Sequence, residues 1–209
     1  MLSASRANRE YFRRAYHSGA HGWGAERPCH YTVAFLRRLR HLIPDGRLLD
    51  LGCGEGRHSV AAARLGFKVT AADSEPLALQ RARRFAKLKG VQGISFCQAD
   101  ALRLPFQAAS FDAVLDYGCL HHQRKSDWTA YMASLARVLR PGGFYALSVF
   151  APKFHLFQGG RRPWHIAQGA YRRCFTPQDI RALFDKDFKI LELIPESRGF
   201  WHALMRRRA

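Results

Sequence analysis

Residues 48–59 read LLDLGCGEGRHS, an apolar run followed by three glycines at alternate positions. The apolar run, taken back to Arg47 as RLLDL, predicts a buried β-strand, and RHSVAAARL predicts a helix that ends at Gly66. Glycines in a strand-to-helix turn let the backbone approach a ligand closely, and the helix N-terminus offers unpaired N–H groups. The stretch therefore predicts a ligand-binding turn after a first buried strand.

Strand and helix patterns alternate along the chain that follows this turn. Further strands are predicted at 67–73, 93–100, 111–118 and 144–151, and helical patterns lie between most of them. The last two predicted strands, 188–194 and 200–208, are joined by a short turn and should pair antiparallel. The pattern predicts a doubly wound α/β fold in a single domain over residues 1–209.

Local signals predict the helix boundaries. The helix HYTVAFLRRLRHLI, ahead of the first strand, should turn four apolar residues toward the sheet: Val33, Leu36, Leu39 and Ile43. Other signals predict a cap at Ser74 with Pro76 in the first turn, a helix start at Ser126, a helix end at residues 141–143 (Pro-Gly-Gly) and a capping box at Thr176–Asp179. Two segments lack a clear period, the aromatic stretch 11–28 and the stretch 152–175.

The spacing of the glycine turn distinguishes between cofactors. Gly52, Gly54 and Gly56 form GxGxG, whereas the dinucleotide fingerprint GxGxxG would need glycine or alanine where Arg57 stands. Asp50 precedes the first glycine by two residues, where an anion would repel a pyrophosphate but attract a cation. S-adenosylmethionine (SAM) carries an ammonium group and a sulfonium and no phosphate. The turn, with Cys53 inside it, therefore favours SAM over NAD.

Two further acids end the next predicted strands. Asp73 follows Gly54 by 19 residues, where a carboxylate can accept from both ribose hydroxyls, with Ser74 beside it. Asp100 ends the third predicted strand, where it can accept from an adenine amino group while Ala101 supplies a backbone N–H. Alone, each acid would be an ordinary turn residue, but together with the glycine turn they predict an adenosine site.

These segments together resemble the class I SAM-dependent methyltransferases. The resemblance covers roughly residues 47–149 and rests on LLDLGCGEGRHS, AADSEPLAL, QADALRLPF, FDAVLDYGCLHH and LRPGGFYAL. It implies a seven-stranded, mostly parallel sheet with the last strand antiparallel and helices on both faces. It also implies SAM across the first three strands, with S-adenosylhomocysteine (SAH) as product and an acceptor pocket over strands four and five. Within the class, the chain looks most like the small-molecule enzymes of the tellurite-resistance and thiopurine type.

The same resemblance implies where the methyl group would emerge. Asp116, Tyr117, His121 and His122 follow the fourth strand, so the first two are expected at the cofactor. His121 or His122 is the candidate catalytic base, because an imidazole titrates near neutrality. The alternative is that one histidine packs on the cofactor and the other only caps a helix.

Two segments are candidates for covering a small-molecule acceptor. An N-terminal flap, residues 1–28, would supply Tyr16, His17 and Trp23. An insertion after the fifth strand, residues 152–175, would act as a lid, and its arginine pairs suit an anionic substrate. Its candidate substrate residues are Arg161, His165, Tyr171, Arg172 and Arg173. A packed tail and a solvated loop are the alternatives.

Charge leaves other partners open. The 209 residues carry 34 Lys and Arg against 16 Asp and Glu, a net charge of +18, which would attract nucleic acid, an anionic membrane surface or acidic small molecules. An RNA or phospholipid methyltransferase and a non-catalytic SAM-binding protein therefore remain alternatives. DYGC at 116–119 differs from the (D/N/S)PP(Y/F/W) of base-amine methylases, which makes nucleic acid the less favoured acceptor.

The cysteines and the apolar runs bear on metal binding, disulfides and cellular location. The five cysteines include no CxxC pair, and HExxH is absent, so neither a disulfide framework nor a metal site is expected. We expect a cytoplasmic protein, since no apolar run approaches the length of a membrane span or a secretory signal. The sequence does not indicate an oligomeric state.

Overall fold

A computed structural model describes residues 4–19, 21, 23–24, 27–160 and 162–209. Its helices are α1 (Ala4–Ser18), α2 (His30–Leu42), α3 (Arg57–Arg64), α4 (Pro76–Leu88), α5 (Trp128–Val138) and α6 (Pro177–Phe184). Its strands are β1 (Arg47–Leu51), β2 (Lys68–Asp73), β3 (Ser95–Gln98), β4 (Phe111–Tyr117), β5 (Leu139–Phe150), β6 (Trp164–Ala167), β7 (Ala170–Arg173), β8 (Phe188–Glu196) and β9 (Phe200–Arg207). Among the described residues, none of these helices is both long and apolar enough to span a bilayer.

Seven strands form one sheet in the order β3-β2-β1-β4-β5-β9-β8. Strands β1 to β5 pair in parallel, and β9 is antiparallel to both β5 and β8. This confirms the doubly wound α/β fold and the antiparallel closing hairpin. The strand order reverses between β1 and β4, so a crevice opens at their carboxyl ends, where such folds bind ligands.

Apolar clusters cover the two faces of the sheet. One contains Tyr131 and Leu135 of α5 with Phe184 of α6, and the other contains Leu36 and Leu39 of α2. Burial of these side chains removes apolar surface from water and holds the helices on the sheet. Of the four apolar residues expected to face the sheet from α2, Leu36, Leu39 and Ile43 are buried; Val33 is only half-buried.

Three helix-boundary predictions are wrong and three are confirmed, since α3 ends just before Gly66, Pro76 lies in the first turn of α4, and the capping box forms. Helix α4 has Glu75, not Ser74, at its N-cap position, because Asp73 Oδ1 accepts the Glu75 N–H at 2.9 Å and carries the turn one residue further. Helix α5 starts at Trp128 after a short 3₁₀ turn, so Ser126 does not begin it, and residues 141–143 lie inside β5. The capping box is present: Thr176 accepts from the Asp179 N–H, and Asp179 accepts from the Thr176 N–H.

Both segments without a clear period contain regular structure. Residues 11–18 of the N-terminal stretch belong to the helix α1, which buries Tyr11, Ala15 and Tyr16. The stretch 152–175 contains the two-stranded β6–β7 hairpin, whose turn residues Gln168 and Gly169 have φ of 53° and 86°. Positive φ at both turn residues matches the twist of a tight hairpin. The buried residues of α1 recur at helical spacing, whereas β6 and β7 are too short, at four residues each, to show a clear alternation.

Candidate active site

A cavity of about 860 Å³ lies at the carboxyl ends of β1, β2 and β4. One end contains the turn after β1, Asp73 at the end of β2, and Asp100 just after β3. The other end contains His121, His122 and the aromatic rings of Phe150, Phe154 and Phe200. Helix α1 and strand β7 also contribute side chains to its wall. A single space therefore joins the predicted cofactor site to the predicted acceptor site.

The glycine turn has the backbone that its sequence predicts. Gly52 and Gly54 have φ of 70° and 55°, a region that favours glycine, and a Cβ on Gly52 would lie 2.9 Å from Cβ of Cys119. Both glycines and Cys53 line the cavity. Gly56 does not: its φ is 82°, and a Cβ there would lie 3.0 Å from Cβ of Ala82, so this glycine serves the close packing of α3 on α4. The sequence predicts a cofactor contact for Gly56, but this residue does not border the cavity.

The cofactor end of the cavity is lined with carboxylates. Asp50 is 2% exposed and accepts from the Ser59 hydroxyl, and burial raises its pKa to about 7. Asp73 accepts the Gly54 N–H at 2.9 Å through Oδ2, and burial raises its pKa as well. Asp100 contacts Arg9 at 3.4 Å, and Ser74 and Ala101 line the wall beside these acids.

This set of groups fits SAM. Buried carboxylates with raised pKa values gain from a nearby positive charge and would repel a phosphate. Glycine at 52 lets the turn after β1 pass close to Cys119, and a Cβ on Gly54 would lie 3.1 Å from the Tyr16 hydroxyl at the cavity wall. Asp50 would face the cationic part of the cofactor, while Asp73 and Asp100 lie where the ribose and the adenine are expected.

Asp116 does not contact the cavity, contrary to the prediction. It is fully buried and accepts from the Cys119 and Leu120 N–H groups at 2.6 and 3.0 Å, and from the hydroxyls of Tyr131 and Tyr145. With four donors on one carboxylate, Asp116 fixes the turn after β4 rather than a ligand. The next residue does line the cavity: Tyr117 stacks on Phe200, with ring centroids 5.8 Å apart, and lies under the Arg57 guanidinium.

His121 is neutral and its proton is on Nε2. The Phe150 N–H donates to Nδ1 at 3.3 Å, so Nδ1 must be the acceptor nitrogen. The ring stacks on Phe150, with centroids 3.7 Å apart and planes 8° apart, and burial lowers the pKa of His121 well below its usual value. Since its basic nitrogen is already occupied, His121 can donate into the cavity but is a poor base.

His122 has the opposite tautomer. Its Nδ1 lies 2.8 Å from the carbonyl oxygen of Tyr171, which can only accept, so Nδ1 carries the proton and Nε2 carries a lone pair. Burial lowers the pKa of His122 to about 4, with the Arg172 charge as a further cause. The His122 ring is therefore uncharged at neutral pH, with one proton on Nδ1. Of the two histidines it is the one with a lone pair on Nε2 that can accept a proton.

The covering segments bring only some of their predicted residues to the cavity. Tyr16, Trp23, Tyr171 and Arg172 line it. Arg172 donates to the Tyr11 hydroxyl at 2.7 Å. His17 and His165 are exposed outside it, because α1 and β6 turn them outward. Arg173 alternates to the other side of β7, over the rings of Trp128 and Phe175 and 3.7 Å from Asp179. Arg161 lies outside the described residues.

Comparisons with known proteins agree with this geometry. Residues 48–143 match the family model described as "Methyltransferase domain". Residues 48–143 therefore correspond to a class I SAM-dependent methyltransferase domain. SAM is the cofactor of that family. The sequence prediction of the family, its cofactor and its fold is thereby confirmed.

Individual relatives extend the comparison. An uncharacterized methyltransferase, YodH of Bacillus subtilis, is 34% identical over 60% of this chain and 50% of its own length. A ubiquinone biosynthesis O-methyltransferase of Methylocella silvestris is 36% identical over 54% of this chain and 44% of its own. The chain thus spans about half the length of the curated relatives it matches. The Burkholderia thailandensis 1,6-didemethyltoxoflavin-N1-methyltransferase, solved with 1,6-didemethyltoxoflavin and SAH, is 25% identical with a TM-score of 0.80, over 98% of this chain and 89% of that one.

The methyltransferase site also contains residues that sequence reasoning missed. Arg81 of α4 donates to Glu55 in the glycine turn at 2.9 Å and to the carbonyl of Tyr16 at 2.5 Å, so it joins α1 to the cofactor end. Asn8 of α1 bonds the backbone of His122 and Tyr171. No local pattern marks either residue, because their partners are 26 to 163 positions away.

The structure also brings together three potential metal ligands that the sequence does not group. Ligand atoms of Cys29, Glu196 and His202 all lie within 4.8 Å of one another. Both imidazole nitrogens of His202 already have protein partners, Ser148 at 2.8 Å and Glu196 at 3.0 Å. Hydrogen bonding within the protein accounts for this arrangement.

Proposed function

We propose that the protein transfers the methyl group of SAM to a small, planar acceptor held at the aromatic end of the cavity. One observation carries the proposal: the same cavity contains the acid-lined glycine turn and, at its other end, the aromatic rings and His122. The solved relative described above, with its small-molecule ligand and SAH, supports this reading.

The chain's own groups have three tasks in the proposed reaction. SAM, when bound, supplies an electrophilic methyl group whose C–S bond breaks with the electron pair staying on sulfur. The aromatic rings hold the acceptor in line and exclude water, which supplies much of the rate enhancement in such displacements. A lone pair on an acceptor oxygen or nitrogen forms the new bond, and the proton that it loses passes to Nε2 of His122.

The charge at the acceptor end favours an acceptor that is anionic or becomes so. Arg124 and Arg172 contribute to the cavity wall, and Arg124 lies over the ring of Tyr171, the residue whose carbonyl bonds His122. A guanidinium close to the acceptor stabilises the negative charge that builds up as the acceptor loses its proton.

Two measurements test the proposal. Titration calorimetry should show binding of SAH and none of NAD. Incubation with methyl-labelled SAM and a panel of hydroxy- and amino-substituted heteroaromatic compounds should move label to at least one of them. Binding of NAD in preference to SAH, or binding of SAH without label transfer to any small acceptor, would contradict the proposed activity.

A further inference from the structure

The histidine pair at the acceptor end presents two different hydrogen-bonding atoms. Phe150 holds the His121 proton on Nε2, and Tyr171 holds the His122 proton on Nδ1. Both histidines line the cavity, and among the described residues the hydrogen bonds found for the two rings are made through Nδ1. The site therefore offers one donor, Nε2–H of His121, and one acceptor, Nε2 of His122, from adjacent residues.

The backbone keeps these tautomers fixed. A switch in His121 would place a proton on Nδ1 against the Phe150 N–H, and a switch in His122 would place a lone pair against the Tyr171 carbonyl. Each switch would leave two like groups facing each other in a buried site, which is destabilising because neither group then has a partner. Because burial lowers the pKa of both rings, neither becomes doubly protonated near neutral pH.

The surroundings of the pair suit a flat ring. His121 lies face to face with Phe150, which in turn stacks on Phe154 at 4.1 Å between centroids. Phe12 of α1 meets the His122 ring edge-on at 4.9 Å. Arg172 lines the same cavity and donates to the Tyr11 hydroxyl of α1 at 2.7 Å.

We propose that this pair selects a planar ring in which the nucleophilic N–H or O–H stands beside a carbonyl or a ring nitrogen, as in a cyclic amide. The inference rests on the proposed methyl transfer and names its acceptor class. His122 Nε2 accepts the proton of the nucleophile, whose electron pair goes to the methyl carbon. His121 Nε2–H donates to the neighbouring carbonyl, where negative charge collects as the proton leaves, and Arg172 stabilises that charge.

A ring that has only one of the two groups leaves one histidine without a partner. A buried site rejects such analogues because its own polar atom stays unpaired when the analogue binds. Each missing group should weaken binding about fivefold, the size of one ordinary hydrogen bond.

Four bicyclic rings of similar size test the inference on the SAH-bound protein. Quinolin-2(1H)-one has both groups, indole has the N–H alone, quinoline has a ring acceptor alone, and naphthalene has neither. Calorimetry should rank quinolinone first and naphthalene last. The variants His121→Asn and His122→Asn keep an amide at the Nδ1 position and remove Nε2, so each keeps its backbone bond. The matched control is His165→Asn, an exposed histidine of β6 outside the cavity.

The variants give separate readouts. His121→Asn should abolish the preference for quinolinone over indole, because the carbonyl loses its donor. His122→Asn should abolish the preference for quinolinone over quinoline, because the N–H loses its acceptor. Equal affinities, no binding of any ring, or preferences that survive in both variants would overturn the inference. SAH affinity, measured on the same samples, separates that result from failure of the proposed function.

Discussion

Asp50 and Asp116 are buried carboxylates on the adjacent strands β1 and β4, and their partners differ. Four donors surround Asp116, whereas the Ser59 hydroxyl is the hydrogen-bond donor that the described residues provide for the Asp50 side chain. Burial raises the pKa of both, to about 6 for Asp116 and about 7 for Asp50. Asp116 is a structural group, whereas Asp50 has remaining capacity to interact with a bound cation.

The affinity for SAM should therefore depend on pH through Asp50. A bound cation favours the ionised form of Asp50, whose pKa in the free protein is about 7. At a pH below 7, SAM binding therefore releases a proton from Asp50. The dissociation constant should rise up to about tenfold per pH unit as the pH falls below 7. Calorimetry from pH 5 to 8 measures this.

Asp50→Asn should flatten that pH dependence. The control is Asp112→Asn, since Asp112 pairs with Arg47 and Arg140 outside the cavity. An unchanged slope in Asp50→Asn would show that another group titrates.

His122→Asn should lower kcat roughly a hundredfold and leave SAH affinity unchanged, since a general base contributes about 10²-fold or more. The loss should shrink for acceptors that are already ionised at the assay pH, because they need no base. Steady-state kinetics with acceptors of graded acidity provides the measurement. An equal loss for all of them would show that His122 acts by shape alone.

Helix α1 and the β6–β7 hairpin form the outer wall of the site through few polar contacts. Asn8 holds α1 to β7 and to the turn after β4, with bonds of 3.2 and 3.1 Å. Arg81 holds the C-terminal end of the helix. An element attached this way can open without disturbing the main sheet.

Asn8→Ala should loosen α1 and raise the acceptor KM about five- to tenfold, because two hydrogen bonds are lost. Hydrogen exchange should then be faster in the amides of α1 than in those of α5. Arg13→Ala is the control, since Arg13 is exposed on the same helix and pairs with Glu10. Unchanged exchange in Asn8→Ala would assign the attachment of α1 to its aromatic contacts.

Thr176→Ala should lower the unfolding free energy by about 1 kcal/mol, because the first turn of α6 loses its capping box. For a chain of this size that corresponds to a melting temperature lower by roughly 2–4 °C. Ser126→Ala is the control, because Ser126 does not cap α5, and it should change the unfolding free energy little. Equal effects of the two substitutions, measured by calorimetry, would contradict the assignment of caps.

Charge is divided unevenly over the molecule. The net charge is +18, yet the cofactor end of the cavity contains Asp50, Asp73 and Asp100. Arginines line both ends: Arg9 pairs with Asp100 and Arg81 with Glu55 at the cofactor end, and Arg172 lines the acceptor end. The large positive net charge attracts anionic small molecules toward the protein.

The KM of an anionic acceptor should therefore rise as salt increases from 0.05 to about 0.5 M, because the Debye length falls from above 10 Å to below 8 Å. A neutral acceptor of the same ring type serves as the control and should show little change. Initial rates at several salt concentrations provide the measurement. The same salt dependence for both acceptors would show that the charge acts elsewhere.

The succession of strands along the chain, the glycine turn and the acids at the carboxyl ends of the first three strands followed from sequence because each depends on a local pattern. Alternation of apolar residues and the spacing of glycines are properties of neighbouring positions, so they can be read without the fold. The helix α1 does have its buried residues Tyr11, Ala15 and Tyr16 at helical spacing, but it begins at Ala4, ahead of the aromatic stretch 11–28, and ends inside it. The strands of the β6–β7 hairpin have four residues each, too few for a clear alternation.

The chemistry of the histidines depended on contacts between distant positions. The sequence marked His121 and His122 as equal candidates, and Phe150 and Tyr171 give them opposite tautomers. In the same way, the alternation of β7 places Arg172 in the cavity and Arg173 against Trp128. Hydrogen-bond partners far apart in the chain fix which nitrogen carries a proton, and no local pattern contains that information.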